Sequence, residues 1–317
     1  MKMPTQAEAQ TRHGELELVL ACDALTDLSR DLAPVGVERF IPLEEALSDW
    51  RTPRITANLG SHFPALLGAA QADLEGDTER DAFNRALVAH LGAGLRFRLT
   101  ELELPGDVFE RVPAALNRLR GFLSEHHDTY GLGNEYFLKD VRFAAGWSVP
   151  CGAKVIDLRS RVSLPISLST ALRGRALRLA VRTLRLGHGA PWFEQHTDTR
   201  YLEEFNEAGL DRTYLCVASL LRRHPNVAGL TAYSWFYDPQ LDEISPRLSY
   251  LRRRQVERGA ILVRGHTSDY DVRNATAKSK TRRRLYEAGE YKPVAHRVLW
   301  LRQDILHWAD QTERAAG

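Results

Sequence analysis

The sequence predicts an α/β (or α+β) fold, a mixed sheet flanked by helices. The first half reads as more helical and the second as alternating strand and helix. Three observations carry this. Apolar residues recur at three- and four-residue intervals through Leu66–Leu91 and Leu116–Leu123, the period of a helix with one buried stripe. Short apolar runs such as Ala153–Leu158 and Pro293–Leu301 have strand length and strand parity. Hydrophobic residues make up 44% and charged residues 26% of 317, the balance of a globular chain able to bury a core.

Element by element, residues 1–14 read as a disordered polar tail, and Leu16–Leu32 as helix or strand. Leu66–Leu91 is helical, with a charged turn at Glu75–Asp81. Leu95–Leu104 alternates apolar with charged residues and predicts a half-buried strand. Val112–His127 is an amphipathic helix with Pro113 in its first turn, where a missing N–H costs nothing. Its terminal His126 and His127 suit the negative end of the helix dipole better than a metal.

After residue 150, Ala153–Leu158 and Val162–Leu168 read as strands, and Ser169–Leu186 as an arginine-rich helix. Its arginines spread over more than one face and lack interleaved aromatics, which argues against a nucleic-acid surface. Pro191–Gln195 is a short strand, Arg200–Arg223 a long helix, and Val227–Tyr237 a strand with a dense aromatic set. Ser245–Gly259 has the marks of one helix: Ser245 as N-cap, Pro246 in the first position and Gly259 as C-cap. A strand at Ala260–Arg264, a helix at Ala277–Ala288, the strand at Pro293–Leu301 and a last helix at Asp304–Thr312 complete the chain.

Charge divides the chain. Residues 1–150 hold 15 Lys+Arg against 23 Asp+Glu; residues 151–317 hold 28 against 18. This predicts an acidic, mostly helical region over 1–150 and a basic α/β domain over 151–317. Either the two halves attract each other, or the second half meets an anionic ligand. Three well-separated cysteines without a CxxC pair speak against a disulfide framework or a thiolate zinc site, and for a reducing compartment. Met1–Glu15 lacks the apolar core of a secretory signal, and no apolar run reaches membrane-spanning length. A cytoplasmic location and no membrane partner are therefore expected.

The order of strands and helices from Val227 to Leu301, with Ser279-Lys280-Thr281-Arg282-Arg283-Arg284-Leu285-Tyr286-Glu287 near its end, resembles the second half of the GNAT family of acyl-CoA N-acyltransferases. That resemblance implies acyl transfer from a CoA-type thioester to an amine, with acyl-CoA as cofactor and a small-molecule substrate. It gives Tyr286 the part of general acid toward the thiolate leaving group. It places the CoA phosphates near Gln240 and Ser245, at the start of the Ser245 helix, and adds Ser279 as a cofactor-binding residue. The segment Gln240–Pro246 departs from the family in having two acids and no glycine, and Pro246 removes one donor.

His196-Thr197-Asp198 offers a second chemistry. A histidine and a carboxylate two apart at a strand end share one face. With His266 as a third ligand and Arg273 for a 2-oxo acid, they match the spacing of Fe(II)/2-oxoglutarate oxygenases. Without metal, His196 and Asp198, together with Glu194 and Arg200, form an acid/base cluster or merely cap the next helix. Alternation would send Tyr233, Trp235 and Tyr237 to one side, as core or as a substrate-binding row. A third reading is a non-catalytic binding protein, a decayed transferase.

Overall fold

The computed structural model describes residues 6–32, 36–48, 62–125, 129–162, 190–198, 200 and 202–316. The mixed α/β class is as the sequence predicts. The chain divides into two compact units, Met1–Pro150 and Cys151–Gly317. The expected helix end at His126–His127, most of the strand Val162–Leu168, the helix Ser169–Leu186 and residues 1–5 of the tail lie outside the described residues.

The first unit is helical: α1 (Gln6–Leu32), α2 (Ile41–Ser48), α3 (His62–Ala70), α4 (Asp77–Ala93), α5 (Leu95–Leu99), α6 (Gly106–Phe109), α7 (Val112–Ser124) and α8 (Glu135–Ala144). Strong helix formers carry α1 back to Gln6, so the tail is shorter than expected. In α7 the buried residues Leu116, Leu119 and Leu123 form the stripe that the spacing predicts, each worth roughly 1.5–3 kcal/mol of burial.

Leu95–Leu104 is not a strand. Leu95 and Leu99, four apart, are buried on one side of α5, while Phe97 stays 65% exposed. Arg98 decides this. Its guanidinium reaches the carbonyls of Leu91 and Ala144 and the carboxylate of Glu44, which a solvent-facing strand position would not allow. Glu44 also faces His90, and that hydrogen bond, ahead of Arg98, holds its carboxyl below the usual range.

The sheet contains β1 (Ser148–Cys151), β2 (Lys154–Arg161), β3 (Pro191–His196), β4 (Gly229–Ser234), β5 (Ile261–Arg264) and β6 (His296–Leu301), in the order β1-β2-β3-β4-β6-β5. β3 and β4 run parallel; β2 with β3, β4 with β6 and β5 with β6 are antiparallel. The connection from β3 to β4 passes through α9 (Glu207–Arg223), shorter than the helix expected from Arg200 because Asn206 caps it. α10 (Leu241–Ile244), α11 (Tyr250–Val256), α12 (Asp269–Ala277), α13 (Lys280–Glu287) and α14 (Arg302–Ala316) complete the unit.

One face of the sheet is covered by helices. Tyr214 of α9 packs edge-on against Trp300 of β6, 5.1 Å between ring centres, and Trp308 of α14 lies beside Trp300 at 5.9 Å.

Three expectations are corrected here. Ser245–Gly259 is not one helix: Ser245 ends α10, a tight turn spans Pro246–Leu248, and α11 follows. The strand of the aromatic set ends at Ser234, and Trp235–Tyr237 form a single 3₁₀ turn, so the three aromatics do not share one strand face. Cys151 and Cys216 are bonded to each other, joining β1 to α9 with 5.8 Å between their Cα atoms. Sixty-five residues separate them, so their meeting depends on sheet and helix packing and left no trace in local spacing. Among the described residues, no helix is long and apolar enough to cross a membrane.

Candidate functional site

The face of the sheet opposite α9 carries a belt of polar side chains across its middle. Residues opposite one another in a ladder point to the same side. The register therefore brings together Asp157 of β2, Glu194 of β3, Thr231 of β4 and, beside Tyr233, Arg297 of β6. An irregularity in β2 between Asp157 and Ser160 lets Ser160 join the same face.

Glu194 is the centre of this belt. It is 7% exposed, and burying a carboxylate is costly unless it is paired and hydrogen-bonded. The Ser160 hydroxyl donates to its Oε2 at 2.5 Å, and Arg297 Nη1 stands 3.6 Å from its Oε1. Arg297 Nη1 also donates to Thr231 Oγ1 at 3.2 Å, and the guanidinium lies over the Tyr233 ring, 5.1 Å from its centre. The Tyr233 hydroxyl donates to the His266 carbonyl. Burial, reinforced by Asp271, pushes the Tyr233 phenol above its usual range although Arg297 opposes it.

His196, one step past Glu194 on the same face, lies 2.9 Å from Asp157 Oδ2. The expected His196–Asp198 pair is not formed. β3 ends at His196, and Asp198 turns to Arg200, accepting from its backbone N–H at 3.0 Å and from its Nη2 at 2.6 Å. Asp198 and Arg200 are thus brought together, and His196 finds its carboxylate on the neighbouring strand.

This bears on the iron reading as well. The side chains of His196 and Asp198 each have another partner, His266 meets Tyr233 through its carbonyl, and Arg273 is exposed on α12. Among the described residues, no three or more His, Cys, Asp or Glu side chains converge as metal ligands would.

The remaining sequence candidates are scattered. Trp235 is buried against Leu241, Ala275 and Tyr291, with Arg282 over its ring. Tyr237 lies on the helix-covered side, where Gln195 Nε2 donates to its hydroxyl at 3.0 Å; burial pushes its phenol well above the usual range. Gln240 donates to the carboxylate of Asp238 and the carbonyl of Lys292. Ser245 accepts from Arg282 Nη1 at 3.0 Å, and Ser279 accepts from the Arg282 backbone N–H as the cap of α13. Tyr286 is 42% exposed on α13.

Asp157, Ser160, Thr231 and Arg297 are absent from the sequence-derived set. The local signal is strongest for Thr231 and Arg297, each a polar residue inside a largely apolar strand, whereas Ser160 joins Asp157 only through the irregularity in β2.

The geometry beside Glu194 has one further feature. Among the described residues, β3 and β4 pair only at Phe193–Leu230 and Glu194–Thr231. β3 then continues to His196 and β4 to Ser234, each held by its outer neighbour, with no ladder between them. Two adjacent parallel strands part here, and the carboxyl ends of such strands are where open sheets accommodate ligands.

No family model matches the chain, and no curated protein matches it. Two solved structures are similar to it. One is an acyltransferase in complex with decanoyl-CoA and teicoplanin: 14% identity, 93% of this chain and 88% of that one covered, TM-score 0.48. The other is an acyltransferase in complex with decanoyl-CoA: 12% identity, 94% and 88% covered, TM-score 0.47.

Proposed function

We propose that this protein transfers an acyl group from a CoA-type thioester to an amine. The observation that carries the reading is the buried Glu194 at the point where the parallel strands β3 and β4 part. Beyond Glu194 and Thr231, the inner strand edges offer backbone N–H and C=O groups to a ligand. An extended arm bearing amides, such as that of CoA, would add to them as a peptide strand does. Its thioester would then end beside Glu194.

The chemistry needs one base and one acid. The amine nitrogen attacks the thioester carbonyl, a C–N bond forms, the C–S bond breaks, and the sulfur leaves as thiolate. Glu194, or His196 held by Asp157, takes the proton that the nitrogen loses. Tyr286 is the acid toward the thiolate on the family resemblance alone, and Asp198 with Arg200 shapes the strand end. The side chains of Gln240, Ser245 and Ser279, which the resemblance places at the cofactor, hydrogen-bond to Asp238, to Arg282 and to the Arg282 backbone N–H.

The test is release of free thiol from acetyl-CoA in the presence of amines. Glu194→Gln should lower kcat by about 10²–10⁴-fold at a temperature where the variant is still folded, since the lost pairing with Arg297 also lowers the melting temperature. Tyr286→Phe should also slow turnover; unchanged turnover removes Tyr286 from the mechanism. If acetyl-CoA raises the melting temperature but no amine releases thiol, the protein is a non-catalytic binder. If acetyl-CoA does neither, the reading fails.

A further inference from the structure

The pairing around Arg297 says more about the acceptor. Both contacts of its guanidinium, to Thr231 and to Glu194, run through Nη1. Its Nε is buried and hydrogen-bonds nothing among the described residues. With Nη1 engaged, the Nε–Nη2 edge is the fork left to meet a carboxylate with two parallel hydrogen bonds. The Tyr233 ring beneath the guanidinium fixes its plane.

Glu194 and Arg297 approach to only 3.6 Å, longer than a hydrogen bond. They are opposite charges side by side on one face, each incompletely satisfied by the other. A ligand that carries an ammonium next to a carboxylate presents the complementary pair of charges.

We propose, resting on the acyl-transfer reading above, that the acceptor is an α-amino acid or a molecule with that grouping. Its amine stands at Glu194 and its carboxylate on the Nε–Nη2 edge of Arg297. The arrangement explains why a charge pair, Glu194 buried and Arg297 half-buried, occupies the sheet where an apolar pair would pack as well. It also sets the amine beside the base that must receive its proton.

The experiment uses the full chain with acetyl-CoA and the twenty α-amino acids, each compared with its decarboxylated amine and its carboxamide, read as thiol release. At least one amino acid should be acylated, with kcat/KM on the order of a hundredfold or more above its two analogues, because a ligand that lacks a carboxylate leaves the buried Nε of Arg297 unmet. Arg297→Gln should remove that preference while acetyl-CoA still raises the melting temperature. Arg297→Lys, which keeps the charge but not the fork, should restore only part of it.

Amines without a carboxylate acylated equally well would overturn this inference and leave acyl transfer standing. Thiol release with no member of the panel would remove both.

Discussion

His196 Nε2 lies 2.9 Å from Asp157 Oδ2 across the β2–β3 ladder, and not against Asp198 two residues along its own chain. A carboxylate so placed fixes the orientation of the ring and which nitrogen carries its proton. Asp198 serves the backbone instead, through its forked pair with Arg200. Asp157→Asn should therefore lower kcat by about tenfold or more with little change in melting temperature. Asp198→Asn should do the reverse, lowering the melting temperature through the lost turn and ion pair. Steady-state thiol release and thermal melts of the two variants decide between the carboxylates. The opposite ranking would mean that His196 is a structural residue.

A second prediction concerns pH. His296 precedes Arg297 on β6 and points to the other face, buried, with Nδ1 3.0 Å from the Val294 carbonyl. Burial first, then Arg264 and Arg252, hold its pKa below the ordinary 6.5; the Val294 carbonyl and Asp238 oppose this without reversing it. Below pH 6.5 the unfolded chain takes up this proton more readily than the folded one, so stability is lost as pH falls through that value. The slope from this group is at most about 1.4 kcal/mol per pH unit. Melting temperatures measured from roughly pH 7 to pH 5 should fall for the parent chain and fall less for His296→Gln. Equal slopes would show that His296 takes up its proton as readily in the fold as in the unfolded chain.

How much of this was legible depended on whether a signal was local. The helix α7 was, because Pro113 and the leucine stripe act within one element. The strand β3 was, because it is short and opens on Pro191-Trp192-Phe193 before its polar end from Glu194 to His196. Leu95–Leu104 was not: its alternation fits a strand and its Leu95–Leu99 spacing fits a helix, and the choice falls to Arg98 reaching Ala144, 46 residues away. Ser245-Pro246 carries a helix-start signature, yet the Ser245 hydroxyl is claimed by Arg282, 37 residues later. The site fared similarly. Glu194 and His196 stood out in one segment, but Asp157, Ser160 and Arg297 reach them only through sheet register, which the order of residues along the chain does not encode locally.

The third prediction follows from another long-range pairing. Cys151 ends β1 and Cys216 lies in the middle of α9, and 5.8 Å between their Cα atoms is within the normal span of a disulfide. Of the 3 cysteines, Cys22 alone is unbonded, and it is buried in the helical unit. Alkylation of the denatured, unreduced chain should therefore modify one thiol per molecule, and three after reduction, counted by intact mass. Cross-linking a loop of this length restricts the unfolded chain, so Cys216→Ser or full reduction should cost roughly 2–4 kcal/mol of stability. The loss should appear in the unit that holds β2–β6 and leave Glu194, Arg297 and their ladder in place, so turnover at low temperature should persist. Three modified thiols before reduction would mean that the two cysteines are neighbours without a bond, and the stability of the Cys216→Ser chain should then lie close to that of the parent.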